Sequence, residues 1–169
     1  MKFTCSDCGQ EHDVSEISFG AHEPDQWWKL TDEERSNSEL TDETCMIDVP
    51  GEQSYFIRAV LALPIRGTDR TFEWGVWCSL SEASFHEVAQ RWSDPTRVDL
   101  GPQFGWLCTQ LPFYPETMFL KTHVRQRPPG LRPLVELEST DHPLAVQQRD
   151  GVAPEELAAL VRKLLHEQP

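Results

Sequence analysis

The chain has 169 residues, of which 38% are apolar and 25% are charged, and its formal net charge at neutral pH is −13. This length fits one domain with a substantial core, and these proportions exclude disordered, collagen-like and coiled-coil classes. No apolar stretch approaches a membrane span and the first residues lack an apolar signal core, so we expect a cytoplasmic protein with no membrane partner.

The first signal along the chain is a Cys-x2-Cys pair, Cys5 and Cys8, followed directly by Gly9 and then by His12. Two thiolates at this spacing can bind one tetrahedral Zn²⁺, and the glycine permits a tight turn around the ion. The five cysteines are an odd number, and in a reducing cytosol metal binding or burial is favoured over a disulfide framework. The pattern therefore predicts a zinc hook at the amino terminus.

The sequence leaves the remaining zinc ligands open, because the chain has no second Cys-x2-Cys pair. Four residues are candidates: His12, His22, Cys45 and His142. We prefer His12, which is local, and Cys45, which lies on a predicted strand that the amino-terminal segment can pair beside. A closed shell of three cysteines and one histidine would be structural, since no position stays open for water. Two ordinary thiols in a terminal turn, or a redox-active pair, remain alternatives.

The acidic charge is concentrated in the first third of the chain. Residues 1–53 contain fourteen acidic and three basic residues, whereas residues 54–169 contain fourteen acidic and twelve basic ones. This distribution disfavours nucleic acid as a ligand, because phosphate binding needs clustered lysine and arginine. It is typical either of a surface for a basic protein partner or of a solvated face that keeps the protein soluble. Tryptophan side chains, where they are exposed, are typical anchors of such interfaces, and this segment contains two tryptophans. The predicted partner-binding residues are Trp27, Trp28, Asp32, Glu33 and Glu34.

The rest of the chain predicts an α+β fold, mainly an antiparallel sheet with a few helices on one face. Alternating or continuous apolar runs predict strands at 44–48, 55–63, 72–80, 118–124 and 134–138. Ser81 is the predicted cap of a helix, Asp141 caps a shorter one, and Pro154 opens the last. A loop rich in glycine and proline is predicted around residues 104–115. We therefore expect one domain over 1–169, with an acidic segment (1–53) and an α+β body (54–169).

Taken in order, several motifs resemble family 2199 of bacterial domains of unknown function. They are residues 3–12, 45–48, 55–58, 74–81, 104–107, 137–145 and the pair Gln148-Arg149. The resemblance covers nearly the whole chain and so implies a single domain. The family has no assigned activity, so the resemblance implies no reaction.

The sequence contains no glycine-rich phosphate loop, no Gly-x-Ser-x-Gly elbow and no His-Glu-x-x-His motif. We therefore expect a non-catalytic, zinc-stabilised interaction protein that binds a basic partner, such as an immunity-type inhibitor of a cationic toxin. One alternative is a small zinc enzyme with an open metal site, in which His142 or Glu11 transfers protons. A second alternative is a regulator that senses redox state or metal through the same thiols. The sequence does not indicate an oligomeric state.

Overall fold

The computed structural model describes residues 2–14 and 19–167. In this part of the chain, β1 (Lys2–Thr4) and β2 (Glu11–Asp13) form a hairpin of their own. The other strands are β3 (Phe19–Gly20), β4 (Glu39–Leu40), β5 (Thr44–Val49), β6 (Glu52–Pro64), β7 (Thr71–Leu80), β8 (Gln103–Leu107), β9 (Lys121–Arg125) and β10 (Leu134–Leu137). The helices are α1 (Asp32–Asn37), α2 (Glu82–Gln90), α3 (Pro143–Asp150) and α4 (Pro154–His166), with short 3₁₀-helices at Asp25–Lys29 and Pro95–Asp99. None of these described helices is long and apolar enough to cross a membrane.

Strands β3 to β10 form one sheet, and its centre closes on itself. The order is β3-β7-β8-β9-β10-β6-β5-β4, and β6 also pairs with β7. Strands β6 to β10 therefore form a ring, antiparallel except where β10 runs parallel to β6. The longest pairing, from Tyr55↔Leu80 to Pro64↔Thr71, is the predicted hairpin of the two most apolar runs. The α+β class is confirmed, with a barrel-like closed sheet.

The central strands bury both of their faces, in two separate apolar clusters. The main core contains Leu61, Leu63 and Trp74 together with the inward residues of α3 and α4. Because side chains alternate along a strand, Phe56 and Trp77 point to the opposite face. There they form a second cluster with Cys45, Ile47 and Cys108, and residues of the acidic segment, including Trp27, pack against it. The acidic segment thus covers one face of the sheet.

Three local predictions are wrong. Residues 104–107, predicted as part of a loop, belong to β8, where Gly105 is needed because the carbonyl oxygen of Ser79 occupies the position of a Cβ. The strand predicted at 118–124 begins only at Lys121, since Phe119 has a positive φ of 62°. The cap of α3 is His142, whose Nδ1 accepts a hydrogen bond from the Leu144 N–H at 3.2 Å, and not Asp141.

Candidate metal centre

The amino-terminal hairpin places two cysteines and a histidine on one side of a tight turn. The pairing of β1 with β2 sets Phe3 opposite His12. The Cys5 N–H donates to the Gln10 carbonyl at 2.8 Å, and the Gly9 N–H donates back to the Cys5 carbonyl at 2.9 Å. Gly9 adopts a φ of +70°, which is strained for any other L-residue. The turn brings Cys8 Sγ to 3.3 Å from His12 Nε2.

The fourth member of the group comes from the other end of the chain. His166, the last residue of α4, places its Nε2 3.2 Å from Cys5 Sγ. The ligand atoms of Cys5, Cys8, His12 and His166 all lie within 4.8 Å of one another. Around zinc, bond lengths of about 2.3 Å to sulfur and about 2.0 Å to nitrogen separate neighbouring ligand atoms by roughly 3.5 Å. Small side-chain adjustments therefore allow all four residues to hold one ion.

Helix α4 is well placed to carry this histidine. Its stripe of Leu157, Val161 and Leu164 is buried in the main core, which fixes the position of the helix. Arg162 and His166 are four residues apart and so lie on the same face of the helix. Arg162 makes an ion pair with Asp7 of the hairpin turn at 3.2 Å. One face of α4 therefore makes both the ion pair with Asp7 and the contact with Cys5.

The environment of Cys5 favours its thiolate. Its residue surface is only 1% exposed, and this burial raises the thiol pKa. The backbone N–H groups of Cys8 and Asp7, the Cys8 thiol and the His166 ring lower the pKa by more. The net pKa of Cys5 therefore lies below its usual value of 9.0. A thiolate is the form that binds a metal, so these contacts make Cys5 a better candidate ligand than an ordinary buried thiol.

The structure brings together three of the predicted ligands, Cys5, Cys8 and His12, but it places Cys45 elsewhere. Both edges of β5, which carries Cys45, are occupied by β4 and β6, so the hairpin does not pair beside it. Cys45 instead lies in the second apolar cluster and is 1% exposed. Burial, with a smaller contribution from Glu23, raises its pKa to about 12. Cys45 is therefore a buried thiol. The fourth position of the group, which we predicted for Cys45, is occupied by His166.

The other histidines considered as ligands also lie outside the group. His22 is exposed, and His142 is occupied as the cap of α3. His166 was missed because it is 161 residues from Cys5, and nothing near it in sequence marks it as a ligand. The sequence shows only that His166 lies four residues after Arg162 on the last predicted helix, and this spacing does not by itself indicate a ligand.

A family model described as an uncharacterized protein conserved in bacteria (DUF2199) matches residues 4–152. The match includes Cys5, Cys8 and His12 and ends before α4, so the fourth member of the group lies outside it. Neither a curated protein nor a solved structure matches the chain. The chain belongs to the bacterial family DUF2199.

Proposed function

We propose that the protein is a non-catalytic, cytoplasmic binding protein whose amino-terminal hairpin is fastened to α4 by a structural zinc ion. The carrying observation is the group of two thiol and two imidazole ligand atoms within 4.8 Å of one another. Two sulfur and two nitrogen ligands in a tetrahedral set are typical of zinc. The ion would supply a cross-link between the two ends of the chain. A set of four protein ligands supports this structural role over the alternative of an open catalytic site.

The proposed docking surface is an acidic platform consisting of Trp27, Trp28, Asp32, Glu33 and Glu34. Trp28 is 68% exposed, the largest exposed fraction among the large hydrophobic side chains of the described residues. Trp27 beside it packs against the second apolar cluster. The 3₁₀-helix that carries both is held at Asp25, whose N–H donates to the Cys108 carbonyl at 3.0 Å and whose carboxylate accepts from the Gln110 N–H at 3.1 Å. One tryptophan therefore anchors the platform while the other faces solvent.

The acids of the platform divide between a structural and an exposed role. Thr31 and Glu34 form a capping box, in which the Glu34 carboxylate accepts from the Thr31 N–H and hydroxyl, each at 2.8 Å. Both hydrogen bonds lower the pKa of Glu34, and the bond from the Thr31 N–H contributes more than the bond from the Thr31 hydroxyl. Asp32 and Glu33, in the first turn of the same helix, are exposed. We assign Glu34 to holding α1 and assign Asp32 and Glu33 to contact with a partner.

The proposed partner is a basic protein, and a cationic toxin neutralised by an immunity-type inhibitor is one example. The excess of acidic residues in 1–53 would steer such a partner toward the platform and set specificity through charge complementarity. Trp28 would contribute most of the short-range affinity, since exposed tryptophans are frequent hot spots.

Elemental analysis tests the metal half of the proposal. Protein purified under reducing conditions and reconstituted with zinc should retain one ion per chain after desalting. A chain in which Cys5 and Cys8 are both replaced by serine should retain none. Equal zinc content in the two proteins would overturn the metal assignment.

Affinity measurements on variants of the platform and on a matched control variant test the partner half of the proposal. Proteins captured by the wild-type chain are purified, and their dissociation constants are measured against ionic strength. A basic partner should bind more weakly at high salt, and Trp28→Ala should weaken binding by about thirtyfold, as expected of a hot-spot residue. A double variant, Asp32→Asn with Glu33→Gln, should mainly slow association. The control is Asp69→Asn with Glu73→Gln, two exposed acids outside the acidic segment. Affinity that is insensitive both to salt and to the platform variants contradicts the proposal.

A further inference from the structure

A pocket of about 390 Å³ lies away from both the metal centre and the acidic platform. Its charged lining consists of Arg97, Arg127, Arg132 and a single carboxylate, Glu43, and its apolar lining includes Trp92 and Leu131. The volume is within the range of about 300–1,000 Å³ that is usual for small-molecule sites. A surplus of arginine in a pocket is unexpected in a chain whose net charge is −13.

Arg97 is the most unusual of these residues, because it is a buried charge whose hydrogen-bond partners are neutral. It is 1% exposed, and its guanidinium donates to the Trp92 carbonyl at 2.8 Å and to the Gln126 side-chain oxygen at 3.0 Å. The guanidinium carbon lies 4.4 Å from the centre of the Trp92 ring. Its Nε is buried without a partner among the described residues. A buried charge of this kind is costly unless an opposite charge compensates it.

The other two arginines differ in whether their charge is compensated. Arg132 makes a bidentate ion pair with Glu43, with contacts of 2.9 Å from Nε and 2.8 Å from the terminal nitrogen. Arg127 donates from its Nε to the Arg132 carbonyl, which is neutral. In residues 2–14 and 19–167, no carboxylate lies within ion-pair distance of Arg97 or Arg127. Burial, and then the neighbouring Arg127, lower the pKa of Arg97, and Glu43, although it is beyond ion-pair distance, offsets part of this effect. The pocket therefore holds two arginines that make no direct ion pair.

We propose that this pocket binds a small organic anion whose carboxylate or phosphate group lies against Arg97 and Arg127. Guanidinium groups recognise both of these anions through charge-assisted, often bidentate hydrogen bonds. The apolar part of the ligand packs against Trp92 and Leu131. The bound anion supplies the direct ion pair that Arg97 and Arg127 lack among the described residues, while the Glu43–Arg132 pair fixes one wall of the pocket.

Calorimetric titration of the purified wild-type protein at constant ionic strength tests this site. Benzoate and phenyl phosphate are the anionic probes, and benzyl alcohol is the neutral probe with a similar ring. At least one anion should bind with a stoichiometry of one per chain, and benzyl alcohol should give no binding heat. The anion that binds more tightly identifies the head group. Failure of both anions to bind at millimolar concentration, or equal binding of benzyl alcohol, overturns the proposal.

A matched pair of arginine variants locates the binding. Arg127→Gln changes a half-buried residue and so preserves the fold better than a change at Arg97, and it should weaken anion binding at least about tenfold. Arg70→Gln makes the same change in charge at an exposed residue between β6 and β7 and should leave the affinity within about twofold. Thermal unfolding of both variants without ligand verifies that they fold. Equal anion affinity in the two folded variants overturns the assignment to this pocket.

Discussion

The thiols of the hairpin turn and the thiols of the β-sheet core show how the same side chain acquires opposite properties. Cys5 and Cys45 are equally buried, each 1% exposed, yet the pKa of Cys5 is lowered and that of Cys45 is raised to about 12. The sulfur of Cys5 receives backbone N–H groups and faces an imidazole, whereas Cys45 packs among Phe56, Ile47 and Trp77. Hydrogen-bond donors around the sulfur, and not burial itself, decide whether the pKa of a buried cysteine is lowered or raised.

Replacing one cysteine in each region should give the largest difference in zinc binding between variants. The Cys8→Ser variant should lose tight zinc binding, because one of the two thiolates is removed and a hydroxyl is a poor zinc ligand. Cys45→Ala should keep one zinc ion per chain and lower the free energy of unfolding by about 1 kcal/mol, the usual cost of a small core truncation. Metal content and denaturant unfolding measure the two effects. Loss of zinc from Cys45→Ala would break the comparison.

Alkylation of the metal-free, folded protein should separate the two groups of thiols by rate. A pKa of about 12 in place of 9.0 lowers the thiolate fraction of Cys45 about a thousandfold near neutral pH. Burial also raises the pKa of Cys78 and Cys108. After zinc is removed by a chelator, iodoacetamide should modify Cys8, which is exposed, and Cys5, whose pKa is lowered, well before the other thiols. Peptide mass spectrometry would show this order. Bound zinc should protect Cys5 and Cys8. Equal labelling of all five thiols in the folded protein is the contrary outcome.

The sequence predicts those features that depend on neighbouring residues and misses those that depend on how distant elements pack. The hook of Cys5, Cys8 and His12 is a local pattern, and so are the long apolar runs that became β6 and β7. Cys45 and His166 could not be assigned from local patterns, because their surroundings depend on which strands flank β5 and on where α4 packs. Strand β8 was missed for a related reason. Gly105 looks like a loop residue in sequence, and only its contact with the Ser79 carbonyl shows why a strand requires it.

Replacement of His166 tests whether the ligand supplied by α4 is needed. Zinc-binding free energies of about 10–16 kcal/mol, shared by four ligands, assign about 3 kcal/mol to each, so His166→Ala should weaken zinc binding about a hundredfold. His86→Ala is the matched control, since His86 is an exposed histidine on α2. Competition with a chelator of known affinity measures both variants. If His166→Ala binds zinc as tightly as His86→Ala, the ion is held by the hairpin alone and α4 is not fastened to it.

The smallest expected effect concerns the ion pair beside the metal centre, and here α4 provides its own control. Arg162 pairs with Asp7 of the hairpin turn at 3.2 Å, and Glu156 of the same helix pairs with Arg66 of the β6–β7 turn at the same distance. Each partly exposed pair should contribute about 0.2–1 kcal/mol, so Arg162→Gln and Arg66→Gln should lower the unfolding free energy of the zinc-loaded protein by similar amounts. Only Arg162→Gln should weaken zinc binding, by about twofold to fivefold, because only that pair holds the turn against the helix. An equal loss of zinc affinity in both variants would mean that the metal centre responds to general stability and not to the docking of α4 on the hairpin.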